Sequence, residues 1–181
     1  IAHSYLDFYE SFFSDMKNEK LNILEIGVLF GNSLKLWSDY FQNSMIYGID
    51  DFSQTNGHAF HDYKPVIADD IYKSLQDYNR IELLIFNCEN ISLIEKNLKD
   101  IKFDIIIDDA SHSLHQQKKN YTNYHTYLKE NGVYFCEDVQ TQYTAEDIMN
   151  HMREITPKKT ITIHEFNMSK KSDRSEEHTS E

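Results

Sequence analysis

Along most of the chain, short runs of consecutive apolar residues alternate with longer segments whose apolar positions recur at helical spacing. The runs at residues 21–28, 45–50, 80–87, 103–108, 132–137 and 160–166 predict six strands, and their near-continuous apolarity is that of strands covered on both faces. Between them, residues 32–41 place Leu34, Leu36, Trp37 and Phe41 at helical spacing, and further helices are predicted at 71–78, 91–98 and 146–155. From 113 to 130, Leu114, Tyr121, Tyr124 and Leu128 fall on one face of another helix. Strand and helix in alternation predict an α/β fold, a mostly parallel sheet with right-handed crossovers and helices on both faces. In such sheets ligands bind beyond the carboxyl ends of the strands, so the strand exits carry the functional question.

Composition narrows the partners. At 181 residues the chain fits one domain with a sizeable core, assigned to residues 1–173. A formal charge of -12 argues against nucleic acid and against an anionic membrane surface, both of which would repel it. A small-molecule or saccharide acceptor, neutral or cation-bearing, fits better, and a homo-oligomer stays open. No apolar run reaches the ~18 residues of a membrane span. The two cysteines, Cys88 and Cys136, lie in apolar, strand-like contexts, which points to a reducing, cytoplasmic location more than to a disulfide. The chain opens at Ile1, and its end, RSEEHTSE, matches one translated frame of a common short-read sequencing adapter. We therefore expect residues 174–181 to be a non-native tail and the natural protein to continue beyond both ends, leaving the fold C-terminally truncated. An ordinary polar, disordered tail has the same composition.

The first strand leaves through EIGVLFGNS, from Glu25 to Ser33, where two of the chain's five glycines, Gly27 and Gly31, bracket the turn. Glycine there permits a sharp bend and the close approach of a ligand. The second strand ends in Asp50 and Asp51, and a carboxylate in that place can accept hydrogen bonds from both hydroxyls of a ribose. A dinucleotide fold wants G-x-G-x-x-G, but the pattern here is E-x-G-x-x-x-G. Glu25 would repel a pyrophosphate and hold an ammonium. S-adenosylmethionine has an ammonium, a ribose and no phosphate. The bland alternative is a tight strand-to-helix turn with Glu25 in solvent.

The fourth strand ends in Asp108 and Asp109 and the fifth is followed by Asp138 after Glu137. If those strands are parallel neighbours, about 4.8 Å apart, three or four carboxylates share one pocket and must take up protons or a cation. An all-oxygen set with room for water suits Mg2+. Alternation puts Ile105, Ile107 and Asp109 on one face and Ile106 and Asp108 on the other, so only one of the two aspartates faces the ion cleanly and the other is left to structure. His112 follows at the expected start of a helix, whose positive end should lower its pKa and keep a neutral base available near pH 7. Asp109 or Ser111 as a helix N-cap, and His112 as a surface histidine, are the plainer readings.

LEIGVLFGNSLKLW, the following IYGID and the earlier HSYLDFYE resemble the class I S-adenosylmethionine-dependent methyltransferases. The branch they resemble is that of metal-dependent macrolide-sugar O-methyltransferases of the macrocin and mycinamicin type. The resemblance covers most of residues 3–140 and implies a Rossmann-like class I methyltransferase sheet. It also implies cofactor-binding roles for Glu25, Gly27, Gly31, Ser33 and Asp50, and Mg2+ ligation by Asp109, Glu137 and Asp138. DASH is similar to the family's D-G-S-H, which implies His112 as general base, with Ala110 in place of glycine. Asn87-Cys88 stands where the family carries Asp-Gln near the adenine, so no adenine contact is implied. The expected function is methyl transfer to a hydroxyl of a sugar or glycan or natural-product precursor, a catechol-like diol being the nearest variant. An NAD-dependent nucleotide-sugar oxidoreductase and a non-catalytic S-adenosylmethionine-binding domain are the alternatives. His3, Tyr5 and Tyr9 either close over the cofactor or pack as an aromatic helix face, and His58 and His61 read as loop residues.

Overall fold

The computed structural model describes residues 5–53 and 67–164. Helix α1 (Tyr5–Phe13) and a 3-10 turn precede β1 (Asn22–Ile26). Then α2 (Asn32–Tyr40), β2 (Met45–Asp50), α3 (Ala68–Ser74), β3 (Ile81–Ile85), α4 (Ile91–Leu98), β4 (Phe103–Asp108), α5 (Leu114–Tyr124), β5 (Leu128–Cys136) and α6 (Gln142–Ile155) alternate. The five strands form one all-parallel sheet in the order β3-β2-β1-β4-β5. The chain winds outward from β1 to β3 and returns to the other side of β1 as β4. The strand order therefore reverses between β1 and β4, where an open α/β sheet forms its ligand crevice.

Side-chain alternation sorts the two layers. Ile23, Ile46, Ile105 and Ile107 pack under α1, α2 and α3 with Phe13, Leu34, Trp37 and Ile71. Leu24, Ile26, Ile49 and Ile106 pack under α4 and α5 with Ile94, Leu98 and Tyr124. Each such fully buried chain contributes roughly 1.5–3 kcal/mol relative to exposure. Helix α6 lies on α5 through Tyr121, Ile148 and Met152. Polar caps fix the helix starts: Asn90 accepts from the Leu93 N–H, Ser113 from Gln116, and Thr141 and Thr144 form a capping box.

Three expectations change. Leu128 opens β5 opposite Phe103 instead of ending the α5 stripe, and four residues, 129–132, oppose Asp104 alone before Val133 pairs with Ile105. Leu128 satisfies a helical and a strand pattern equally, and only the edge of β4 decides between them. Helices α3 and α6 start earlier than their apolar residues indicate, because Asp69 and Asp70 favour the first turn of one and the capping box fixes the other. Residues 160–164, the described part of the sixth predicted strand, pair with no strand, and the His164 ring instead packs 4.7 Å from that of Phe8. A Thr-Ile alternation has strand propensity, but without a ladder partner it forms none. The expectations at His3, His58 and His61, the side chain of Tyr5 and residues 165–181 fall outside the described residues. Among the described residues no helix is long and apolar enough to cross a membrane.

Candidate active site

Register assembles the site. Glu25 pairs with Ile107 and Ile107 with Phe135, so the residues two further on, Gly27, Asp109 and Glu137, leave the sheet side by side. The ladder continues through Asp109 N–H to Ile26 O and Glu137 N–H to Asp108 O, each 2.9 Å. By alternation Glu25, Asp109 and Glu137 share the α1 and α2 face, and Asp108 turns to the other. Glu25, Asn32, Ser33, Trp37, Asp109, Glu137 and Asp138 line one cavity of about 310 Å³, with Tyr9 and Leu6 from α1 at its side.

Backbone strain concentrates at the same edge. Leu29, Phe52, His112 and Asp138 have φ of 49°, 53°, 57° and 48°, one beyond each of β1, β2, β4 and β5. Left-handed geometry at a non-glycine residue costs about 1–3 kcal/mol and persists where the surroundings hold it, commonly at functional sites. Ala110 has no positive φ, so the replacement of glycine there adds no strain.

On the β1 side, Glu25 is buried and doubly held. Ser33 Oγ–H donates to its Oε1, and the Trp37 indole N–H donates to Oε2 at 2.8 Å. Burial pushes its carboxyl up to about 8, and the charges of Asp109 and Glu137 add to this against the two hydrogen bonds. Gly31, with φ of 72°, caps α2. The Asp50 carboxylate accepts from the backbone N–H groups of Val28, Leu29 and Phe52 at 2.8, 3.0 and 2.7 Å, so much of its acceptor capacity shapes the loop. Beyond β3, Asn87 Nδ2 donates to Asp51 Oδ2 at 3.0 Å, and burial pushes the Cys88 thiol up to about 12.

On the β4 and β5 side, ligand atoms of Asp109, His112 and Asp138 lie within 4.8 Å of one another. His112 Nε2 is 2.9 Å from Asp109 Oδ1 and Nδ1 is 3.9 Å from Asp138 Oδ2. Glu137 stands beside this group, lining the cavity, with its Oε1 accepting from the Tyr9 hydroxyl. Burial, then the charge of Asp109, pushes Glu137 up to about 7. The lowered pKa expected for His112 is overturned. The N-cap of α5 is Ser113, so His112 lies outside the helix, and the hydrogen bond to Asp109 raises its pKa despite burial. Neither Asp109 nor Ser111 is the cap. Asp108 is fully buried, accepting from Asn120 Nδ2 at 2.8 Å and Tyr134 Oη–H at 3.0 Å, as a structural residue does.

Two donors escaped the sequence reading. Trp37 read as a core residue, although a buried indole needs an acceptor and Ser33 and Trp37 stand four apart on one helical face. Tyr9, expected to close over the cofactor or to pack in an aromatic helix face, gave no sign of its role as a donor, since its acceptor lies 128 residues away.

No family model matches the chain. It is similar to the mycinamicin VI 2''-O-methyltransferase of Micromonospora griseorubida, at 27% identity over 149 residues, 78% of this chain and 33% of the relative. It is equally similar to the demethylmacrocin O-methyltransferase of Streptomyces fradiae, at 27% identity over 149 residues with the same two shares. The chain thus spans about a third of the length of the curated relatives it matches. Among solved structures it is similar to the MycE methyltransferase of the mycinamycin biosynthetic pathway, with a TM-score of 0.60 and 24% identity over 79% of this chain and 34% of that one. The chain has the class I methyltransferase fold. A Methanococcus jannaschii fibrillarin pre-rRNA processing protein is similar too, with a TM-score of 0.54 and 16% identity over 76% and 55% of the two chains. The class I methyltransferase fold by itself therefore names no acceptor, and the reaction has to be argued from the site.

Proposed function

We propose that this domain transfers a methyl group from S-adenosylmethionine to a hydroxyl of a small saccharide or glycosylated acceptor. In this reading Mg2+ is held by Asp109, Glu137 and Asp138, and His112 is the general base. The carrying observation is the convergence of Glu25, Asp109, Glu137 and Asp138 on one cavity from three adjacent strand exits. The names of the relatives support the reaction class, and the similar MycE structure was solved with Mg, SAH and mycinamycin VI together.

The residues fit a hard dication. Their donors are mainly carboxylate oxygens, and the upward shifts of Glu25 and Glu137 mark negative charge crowded in a desolvated pocket. A bound Mg2+ would supply Lewis acidity that lowers the pKa of a coordinated hydroxyl. Glu25, fixed by Ser33 and Trp37, would take the ammonium of the methionyl end. Gly27, Gly31 and the loop pinned by Asp50 would face the rest of the cofactor. In a neutral His112 ring, Nε2–H donating to Asp109 leaves the lone pair on Nδ1, on the side of Asp138. That nitrogen takes the acceptor's proton as the oxygen–methyl bond forms. The sulfur–methyl bond breaks with its electron pair going to sulfur, giving S-adenosylhomocysteine.

A second reading has its own observation: His112, and not Glu137, belongs to the tight three-residue group, which would make the imidazole a ligand. Calorimetric titration of S-adenosylhomocysteine, with Mg2+ and then with chelator, tests the main proposal in wild type and Asp109→Ala. Cofactor binding is expected in both, with the Mg2+ effect lost in the variant. Unchanged Mg2+ dependence in Asp109→Ala would remove the cation site, and no binding by wild type would remove the cofactor assignment.

A further inference from the structure

We infer that Tyr9 is a positioning residue for the cation half of the site, its hydroxyl fixing Glu137 Oε1 so that Oε2 is left for the ion. This rests on the reading of Glu137 as a ligand. Tyr9 is only 7% exposed. Its ring stacks on Phe13 at 5.3 Å and 8°, and meets the edges of Trp37 at 5.2 Å and Phe135 at 5.3 Å. A ring caged on three sides holds its hydroxyl at one point, and that point is Glu137 Oε1. Phe135, two residues before Glu137, packs edge-on against both Tyr9 and Phe13 and so ties the end of β5 to α1.

The chemistry of the donor separates positioning from mere satisfaction. Trp37 N–H holds Glu25 and Tyr9 O–H holds Glu137, and the two rings pack edge to face. Among the described residues no lysine or arginine pairs with either glutamate. A neutral donor orients a carboxylate and leaves its charge for a ligand, whereas a cationic partner would cancel it. Outer hydrogen bonds of this kind orient metal ligands, and removing one commonly costs 10–100-fold in affinity.

The test is titration of the full chain with Mn2+ alone, followed by the electron paramagnetic resonance signal of the free ion, for wild type, Tyr9→Phe and Phe13→Leu. Thermal melts and S-adenosylhomocysteine titration in chelator run alongside. Tyr9→Phe keeps the caged ring, so it is expected to melt like wild type, to bind S-adenosylhomocysteine within about twofold of wild type, and to bind Mn2+ about tenfold more weakly. Phe13→Leu, which loosens the cage but keeps the hydroxyl, is expected to melt earlier and to weaken Mn2+ binding less than Tyr9→Phe does. Mn2+ binding by Tyr9→Phe that equals or exceeds wild type overturns the inference, as does an equal loss in Phe13→Leu. A wild type that binds no Mn2+ overturns the cation reading itself, which is a separate result.

Discussion

Gly27 and Asp109 meet backbone to backbone: a Cβ on Gly27 would lie 2.4 Å from the Asp109 carbonyl oxygen and 2.8 Å from Ala110 Cα. The glycine at the exit of β1 thus makes room for the exit of β4, at the point where the strand order reverses. Gly27→Ala meets this contact and also a φ of 93° that an L side chain resists. We expect it to destabilise the fold by about 2 kcal/mol or more and to weaken Mn2+ binding by moving Asp109. Urea unfolding and Mn2+ titration check the two effects, and wild-type values in both would show that the close contact is not required.

His112 separates base from ligand. As the base it contributes about 10²–10⁴-fold to transfer and little to the cation. His112→Ala is therefore expected to lose methyl transfer to a diol acceptor while holding Mn2+ within a few-fold of wild type. Parallel loss of Mn2+ binding and transfer would instead make His112 a ligand, as its place in the group with Asp109 and Asp138 allows.

Glu25 gives the ligand-free protein a pH dependence. A carboxyl raised from 4.5 to about 8 by burial stabilises the fold fully below its unfolded value and loses that contribution as pH rises toward 8. Glu137, raised to about 7, and Asp108, raised to about 6, act with the same sign. Melting temperatures in chelator should fall from pH 5 to pH 8. Glu25→Gln can still accept from Trp37 and donate to Ser33, so its fall should be shallower and its stability at pH 8 higher. A wild-type slope in this variant would place the titration elsewhere.

The acidic half of the candidate site was legible in part: alternation separates Asp108 from Asp109 and the family resemblance picks Asp109, while the pairing of β4 with β5, a condition the sequence could only state, is what brings Glu137 and Asp138 next to it. The E-x-G-x-x-x-G pattern at the β1 exit pointed to Glu25 and the two loop glycines. Such local patterns do not reach Tyr9, whose partner is set by how α1 lies across the sheet. Nor do they fix His112, where moving the helix cap to Ser113 exchanges a helix dipole for an aspartate and reverses the direction of the pKa shift. Leu128 shows the limit for elements, since only its pairing with Phe103 separates strand from helix.

Asp108 and Asp109 are adjacent yet face opposite sides of the sheet, so their variants should fail in opposite assays. Asp108 sits fully buried among Asn120, Tyr134 and the Ala110 N–H. Asp108→Ala leaves those donors without an acceptor, at about 1–3 kcal/mol for each buried group left unpaired. Asp109 is partly exposed in the cavity, and its carboxylate's partner in the structure is His112. Asp109→Ala is therefore expected to unfold near the wild-type denaturant midpoint and to lose Mn2+ binding, while Asp108→Ala unfolds early and, where still folded, binds Mn2+ as wild type does. Denaturation and Mn2+ titration of both variants give a crossed pattern if the faces are assigned correctly. Loss of Mn2+ binding in folded Asp108→Ala, with retention in Asp109→Ala, would exchange the structural and ligand roles of the two residues.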